Sequence, residues 1–189
     1  MISKEGKTIV VLGATGRQGG EVARHLVKEG WKVKGLTRNP ESKKAVALKS
    51  LGVEVVKADM NDKSSLEAAF RGAYGLFNMQ APVPGKIEVE IQHGRNVAEA
   101  AKKAGIQHIV YGSAGLGNIK TGIEQWDSKI EVTKAMNELG LPLTVLRPVA
   151  FMELMTDPSY FPNASTWSIW PKLTGNDYKI AWISVQDVG

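Results

Sequence analysis

Thr8-Ile9-Val10-Val11-Leu12-Gly13-Ala14-Thr15-Gly16-Arg17-Gln18-Gly19-Gly20 is the stretch that decides the fold. Thr8 to Leu12 is short, apolar and β-branched, which is how a strand buried on both faces of a parallel sheet reads. Glycines follow at once at 13, 16 and 19. A helix comes next, with Val22, Leu26 and Val27 on one face and Gly30 as its stop. A glycine triplet alone is weak, but between a strand and a helix it is specific. Gly13 permits a tight turn, Gly16 removes a side chain where a pyrophosphate approaches, and Gly19 lets helix and strand pack closely. The helix start around Thr15, Arg17 and Gln18 offers backbone N–H groups and a positive dipole end to phosphates. The segment therefore reads as a dinucleotide-binding turn.

Outward from this turn, strands and helices alternate. Trp31 to Thr37 reads as a second strand. Pro40 is expected to begin the helix that carries Ala45, Leu48 and Leu51. Val53 to Lys57 is a third strand. Ser64 and Glu67 have capping-box spacing for a helix ending near Gly72. Tyr74 to Met79 is a fourth strand. After a proline-containing loop comes a long helix with Ile87, Ile91, Ala98 and Ala101 near helical spacing and Gly105 as its stop. Gln107 to Tyr111, a helix from about Asp127 to Leu139, and Leu141 to Leu146 follow. Tyr178 to Ser184 reads as a seventh strand, and 183–187 as a strand exit and helix start. The alternation predicts an α/β fold: one Rossmann-type domain over residues 1–189, a doubly wound parallel sheet with helices on both faces. The connection 148–177 breaks the pattern. It carries Phe151, Met152, Leu154, Met155, Tyr160, Phe161, Trp167 and Trp170, and reads either as local packing or as a substrate-side wall.

Composition narrows the class. The chain has 189 residues, 43% of them hydrophobic, enough for a packed core. It has no cysteine, hence no disulfide, thiolate metal site or cysteine nucleophile. No apolar run approaches the roughly 18 residues that span a bilayer, and a cytoplasmic protein is expected. The net charge of +5 is spread among acids rather than clustered, which argues against a nucleic-acid face. His25, His93 and His108 lie far apart without metal-ligand spacing.

The end of the second strand ordinarily chooses between dinucleotides. An acid there binds the adenosine ribose hydroxyls of NAD. This chain has Thr37-Arg38-Asn39-Pro40 instead. Arg38 cannot accept those hydrogen bonds, but its planar fork suits a 2′-phosphate, with Arg17 and Lys43 as helpers. NADPH is thus expected to bind in preference to NADH. Asp59, after the third strand, either binds the adenine amino group, with Met60 beside the ring, or caps a local turn. Met79 and Gln80, leaving the fourth strand, and Ser113, leaving the fifth, complete the candidate cofactor contacts.

The motifs Gly13-x-x-Gly16-x-x-Gly19, Leu36 to Pro40, Asp59 and Leu146-Arg147-Pro148 together resemble the short-chain dehydrogenase/reductase superfamily. Gly13 to Gly20, Ser128-Lys129 and Arg147 to Glu153 are most similar to its atypical NmrA-like branch. Family members continue into a smaller C-terminal substrate region, so the chain is expected to be a truncated member whose open face self-associates. The superfamily carries Tyr-x-x-x-Lys, with tyrosine as proton donor and lysine holding the nicotinamide ribose. Lys129 fits the lysine position, but Gln125 stands where the tyrosine belongs, and Ser113 matches the family serine loosely. The resemblance implies two alternatives. One is an NADPH-dependent reductase, with Lys129 in its site, passing hydride to a small apolar or quinone-like acceptor without a catalytic tyrosine. The other is a non-catalytic NADPH redox sensor acting through a protein partner.

Overall fold

A computed structural model describes residues 3–81, 85–115, 117–157, 172, 177 and 179–189. The apolar runs become a six-stranded sheet: β1 (Thr8–Val11), β2 (Lys32–Thr37), β3 (Glu54–Lys57), β4 (Gly75–Asn78), β5 (His108–Gly112) and β6 (Leu143–Leu146). Every pairing is parallel, in the order β3-β2-β1-β4-β5-β6. Because parallel neighbours need a crossover, the ends of β1 to β5 each lead into a helix that covers one face. On one face α1 (Arg17–Lys28) and α2 (Lys43–Ser50) bury Val22, Ala23 and Leu48 against Val11, Val33 and Phe77. On the other, α3 (Lys63–Phe70), α4 (Ile87–Ala104) and α5 (Glu124–Glu138) bury Leu66, Phe70, Val97, Ala98, Val132 and Met136 against Val10, Leu76, Ile109 and Tyr111. The chain belongs to the Rossmann-type α/β class, with the strand order reversing between β1 and β4. Ligands of such sheets bind in the crevice at that reversal.

Four local expectations are corrected. The α3 cap is Asp62, whose carboxylate accepts from the backbone N–H groups of Ser64 and Ser65, not the Ser64–Glu67 box. A carboxylate just ahead of the serines captures the free N–H groups first, and Glu67 instead accepts from Lys103 Nζ. Pro40 does not begin α2. Ser42 caps it by accepting from the Ala45 N–H at 3.3 Å, and Leu51, at 46% exposed, lies outside the core. The buried stripe of α4 is Glu90, Gly94, Val97, Ala98, Ala100 and Ala101, whereas Ile87 and Ile91 are only half-buried. The seventh strand is not part of the main sheet. A short β7 (Ala150–Phe151) pairs in parallel with β8 (Trp182–Ile183).

Glu153 opens α6 (Glu153–Thr156) and ties that pair to the chain end. Its carboxylate accepts from Ser184 Oγ at 2.9 Å and the Val185 N–H at 3.1 Å. A last turn of helix, α7 (Val185–Val188), packs on α1 with Val185 buried. Most of the 148–177 connection, including Tyr160, Phe161, Trp167 and Trp170, lies outside the described residues, as does Tyr178. Among the described residues no helix is long and apolar enough to cross a membrane.

Candidate dinucleotide site

Local chemistry places the glycine turn at the β1–β4 reversal. Gly13 adopts φ +67, a left-handed conformation open to glycine at little cost. A Cβ there would also lie 2.8 Å from Met79 Sδ at the exit of β4. The backbone N–H of Gly16 donates to the Gly13 carbonyl at 2.8 Å, closing the turn. At Gly19 a Cβ would lie 2.5 Å from the Gly13 oxygen and 2.6 Å from the Leu12 oxygen. The first turn of α1 thus sits directly on the strand it leaves. Gly16 is the N-cap and supplies no side-chain cap, so the 12-residue helix presents its N-terminus bare of side-chain oxygen. This cradle of bare backbone fits a pyrophosphate in the way helix N-termini hold anions.

The other candidate contacts fall into three places. Thr15, Gly16 and Arg17 line a cavity of about 360 Å³ with Arg24, Lys44, Glu153, Asp157 and Gln186 among its other walls. This cavity meets the glycine turn from the α2 side and includes none of Met79, Gln80 or Ser113. Lys44 faces it, whereas Lys43 does not. Arg17 donates to Asp157 Oδ2 from Nε at 2.8 Å and from Nη2 at 2.6 Å. Arg38 follows the end of β2 and is exposed. Beyond β3, Asp59 Oδ1 accepts from the Asn61 backbone N–H at 2.9 Å and its amide at 3.1 Å, a local turn. Its own N–H donates to Ser65 Oγ. Met60 packs half-buried on the α3–α4 core. His93, on α4, meets Asn61 Oδ1 at 3.0 Å, and burial holds its imidazole below the usual histidine range. Gln18 lies over Gly112 on β5, where a Cβ would sit 3.1 Å from its amide nitrogen.

The third place is a buried polar cluster where β4 and β5 end beneath α4 and α5. Asn78, Gln80, Ser113, Ser128 and Lys129 are all buried there. Gln80 Nε2 donates to Asn78 Oδ1 at 2.5 Å, and the Ser113 N–H donates to the Leu146 carbonyl. Lys129 Nζ donates to the Gln80 backbone carbonyl at 2.8 Å and pairs with the carboxylate of Glu90. Tyr111, fully buried on β5, makes no hydrogen bond through its hydroxyl among the described residues. Burial, reinforced by the charge of Glu90, pushes its phenol far above the ordinary range.

Glu90 is the residue that sequence reasoning missed. It stands four residues before Gly94 on the buried stripe of α4, and a carboxylate on such a stripe was the available signal. Asp127, one turn into α5, accepts from the backbone N–H groups of Thr121 at 2.8 Å and Gly122 at 3.0 Å. Those bonds, the Thr121 N–H first, hold its carboxyl below the usual range and fix the approach to the helix that carries Lys129.

Comparison with known proteins agrees with this architecture. The profile of the NmrA-like family matches residues 5–189. An NmrA-like family domain-containing protein of Dictyostelium discoideum is 35% identical, over 83% of this chain and 52% of its own. An NmrA-like family domain-containing oxidoreductase of Malbranchea aurantiaca is 33% identical, over 96% of this chain and 61% of its own. The chain thus spans between about half and three fifths of these relatives' length. Among solved structures, an NADPH-dependent quinone oxidoreductase from Escherichia coli, complexed with NADPH, superposes with a TM-score of 0.77 at 29% identity, covering 95% of this chain and 61% of that one. The Citrobacter triphenylmethane reductase complexed with NADP(H) gives 0.73 at 30%, covering 86% and 55%. NmrA, described as a negative transcriptional regulator and solved with NADP, gives 0.75 at 26%, covering 97% and 59%.

Proposed function

The chain belongs to the NmrA-like family, and from that premise we propose that it binds NADPH across the β1–β4 crevice and reduces a small apolar or quinone-like acceptor. The observation that carries this reading is the glycine turn at the strand reversal. There the positive φ of Gly13 and the backbone contact at Gly19 leave no room for side chains, and the N-terminus of α1 is uncapped. The oxidoreductase names of relatives, and the NADP(H) in the similar quinone and triphenylmethane reductases, support it. Arg38 at the exit of β2, with no acid there, supports the preference for NADPH over NADH.

In this reading Gly13, Gly16 and Gly19, with the N–H groups around Thr15 to Gln18, hold the pyrophosphate. Arg38, helped by Arg17 and Lys43, faces the 2′-phosphate, and Lys44 joins them from the cavity wall. Asp59 and Met60 border the adenine end. Met79, Gln80, Ser113 and Lys129 border the nicotinamide end. When bound, the reduced nicotinamide supplies a hydride, and a quinone acceptor takes its proton from water. Gln125 cannot serve as an acid, so the side chains contribute position more than proton transfer.

The test is NADPH oxidation followed by absorbance against a panel of quinones and cationic dyes. Acceptor-dependent oxidation is the expected result. Tight NADPH binding with no oxidation by any acceptor would favour a second reading, an NADPH-responsive regulator acting through a protein partner. The likeness to NmrA supports that alternative.

A further inference from the structure

We propose that Glu90 is the positioning residue of this site: it holds the Lys129 ammonium at the exit of β4, clamped to the Gln80 carbonyl, as a fixed hydrogen-bond donor toward the dinucleotide. The inference rests on the reading above, in which Lys129 borders the nicotinamide end. Helices α4 and α5 approach closely because Gly94 has no side chain, and a Cβ there would lie 2.6 Å from Val132 Cγ1. Glu90 lies four residues before Gly94 and Lys129 three before Val132, so the crossing brings the two charges together. Their side chains are 2% and 8% exposed.

An ammonium has three N–H donors. One goes to Glu90 and one to the Gln80 carbonyl, and the third is left for a ligand. The Gln80 carbonyl fixes the height of the group, because Gln80 is itself buried and tied to Asn78. A buried ion pair is weak as a stabilising device, since apolar residues of similar volume often replace it without loss. A pair kept for packing alone would therefore be replaceable, and a pair kept to aim Lys129 would not.

The experiment compares NADPH affinity, by titration, in the wild type, Glu90→Gln, Lys129→Met and the double variant Glu90→Leu/Lys129→Met, with thermal unfolding as the check on the fold. Glu90→Gln is expected to weaken NADPH binding roughly tenfold or more. Glu90→Asp, titrated alongside, keeps the counter-charge and should recover part of that affinity, which a loss of packing alone would not restore. The double variant buries no unpaired charge and should fold even where Glu90→Gln does not. It is expected to bind as weakly as Lys129→Met alone. Wild-type affinity in the double variant, an unchanged affinity in folded Glu90→Gln, or a Glu90→Asp variant that binds no better than Glu90→Gln, would overturn the proposal while leaving the dinucleotide reading intact. Binding of neither NADPH nor NADH by the wild type would overturn both.

Discussion

Gly94 and Val132 meet where α4 crosses α5, so closely that a methyl group on Gly94 would lie 2.6 Å from Val132 Cγ1. Val132 is fully buried and belongs to the core that also holds Tyr111 and Met136. It has little space to retreat. Gly94→Ala should therefore destabilise the fold by about 1–3 kcal/mol, the usual cost of overpacking, despite the higher helix propensity of alanine. Denaturant unfolding checks this. Equal or greater stability in the variant would mean that the two helices can separate at no cost.

Tyr111→Phe should stabilise the protein by about 1 kcal/mol, because the hydroxyl is buried and makes no hydrogen bond among the described residues. The same group gives a pH dependence of definite sign. Its folded-state pKa is raised by burial and by Glu90. The unfolded phenol ionises from about pH 10 while the buried one stays neutral, so the stability of the wild type falls as pH rises beyond that value. Thermal unfolding across alkaline pH should show a shallower decline for the phenylalanine variant than for the wild type.

Asp127 gives the opposite sign. Its folded-state pKa is depressed by the N–H groups of Thr121 and Gly122. The tether is therefore in place above the unfolded value of about 4 and released as pH falls through the lower folded value. Asp127→Asn should loosen the turn at neutral pH, with amide exchange at 121 and 122 faster by about tenfold or more. Unchanged exchange would show that the turn is held by other contacts.

Gly19→Ala tests the turn itself. A Cβ there meets two backbone oxygens, those of Gly13 and Leu12, at 2.5 and 2.6 Å. Backbone yields less readily than a side chain, so α1 must lift from β1. We expect a loss of about 2 kcal/mol or more in stability and a loss of dinucleotide binding, read by unfolding and titration. A folded variant with wild-type affinity would show that the close helix–strand contact is not needed for binding.

The order of elements was legible in the sequence because buried parallel strands are continuous apolar runs and their boundaries carry Gly30, Gly105 and similar stops. The same holds for the Gly13–Gly19 turn, where each glycine has a steric reason that can be stated in advance. Boundaries set by competition between neighbouring polar groups were not legible. Asp62 outcompetes the Ser64–Glu67 pair for the α3 cap, and Ser42 rather than Pro40 starts α2. Lys129 is singled out by the family resemblance, in which it fits the lysine of Tyr-x-x-x-Lys. Its partner is harder to see, because Glu90 lies 39 residues away and an acid in the first turn of a helix usually faces water; the one sign of it is that it shares the helix face of Gly94 and Val97. The sequence offers Asp59 two roles, adenine contact or local cap. The structure shows it holding the Asn61 turn, and adenine binding would use the same carboxylate.

In the function proposed above, the chain holds NADPH in its β1–β4 crevice and prefers it to NADH through Arg38. Titration of wild type and Arg38→Ala with each dinucleotide decides this. The expected result is at least tenfold tighter binding of NADPH by the wild type, about 1.4 kcal/mol, and a preference that collapses in Arg38→Ala while NADH affinity is little changed. Equal affinities for the two dinucleotides, or a preference that survives the loss of Arg38, would contradict it.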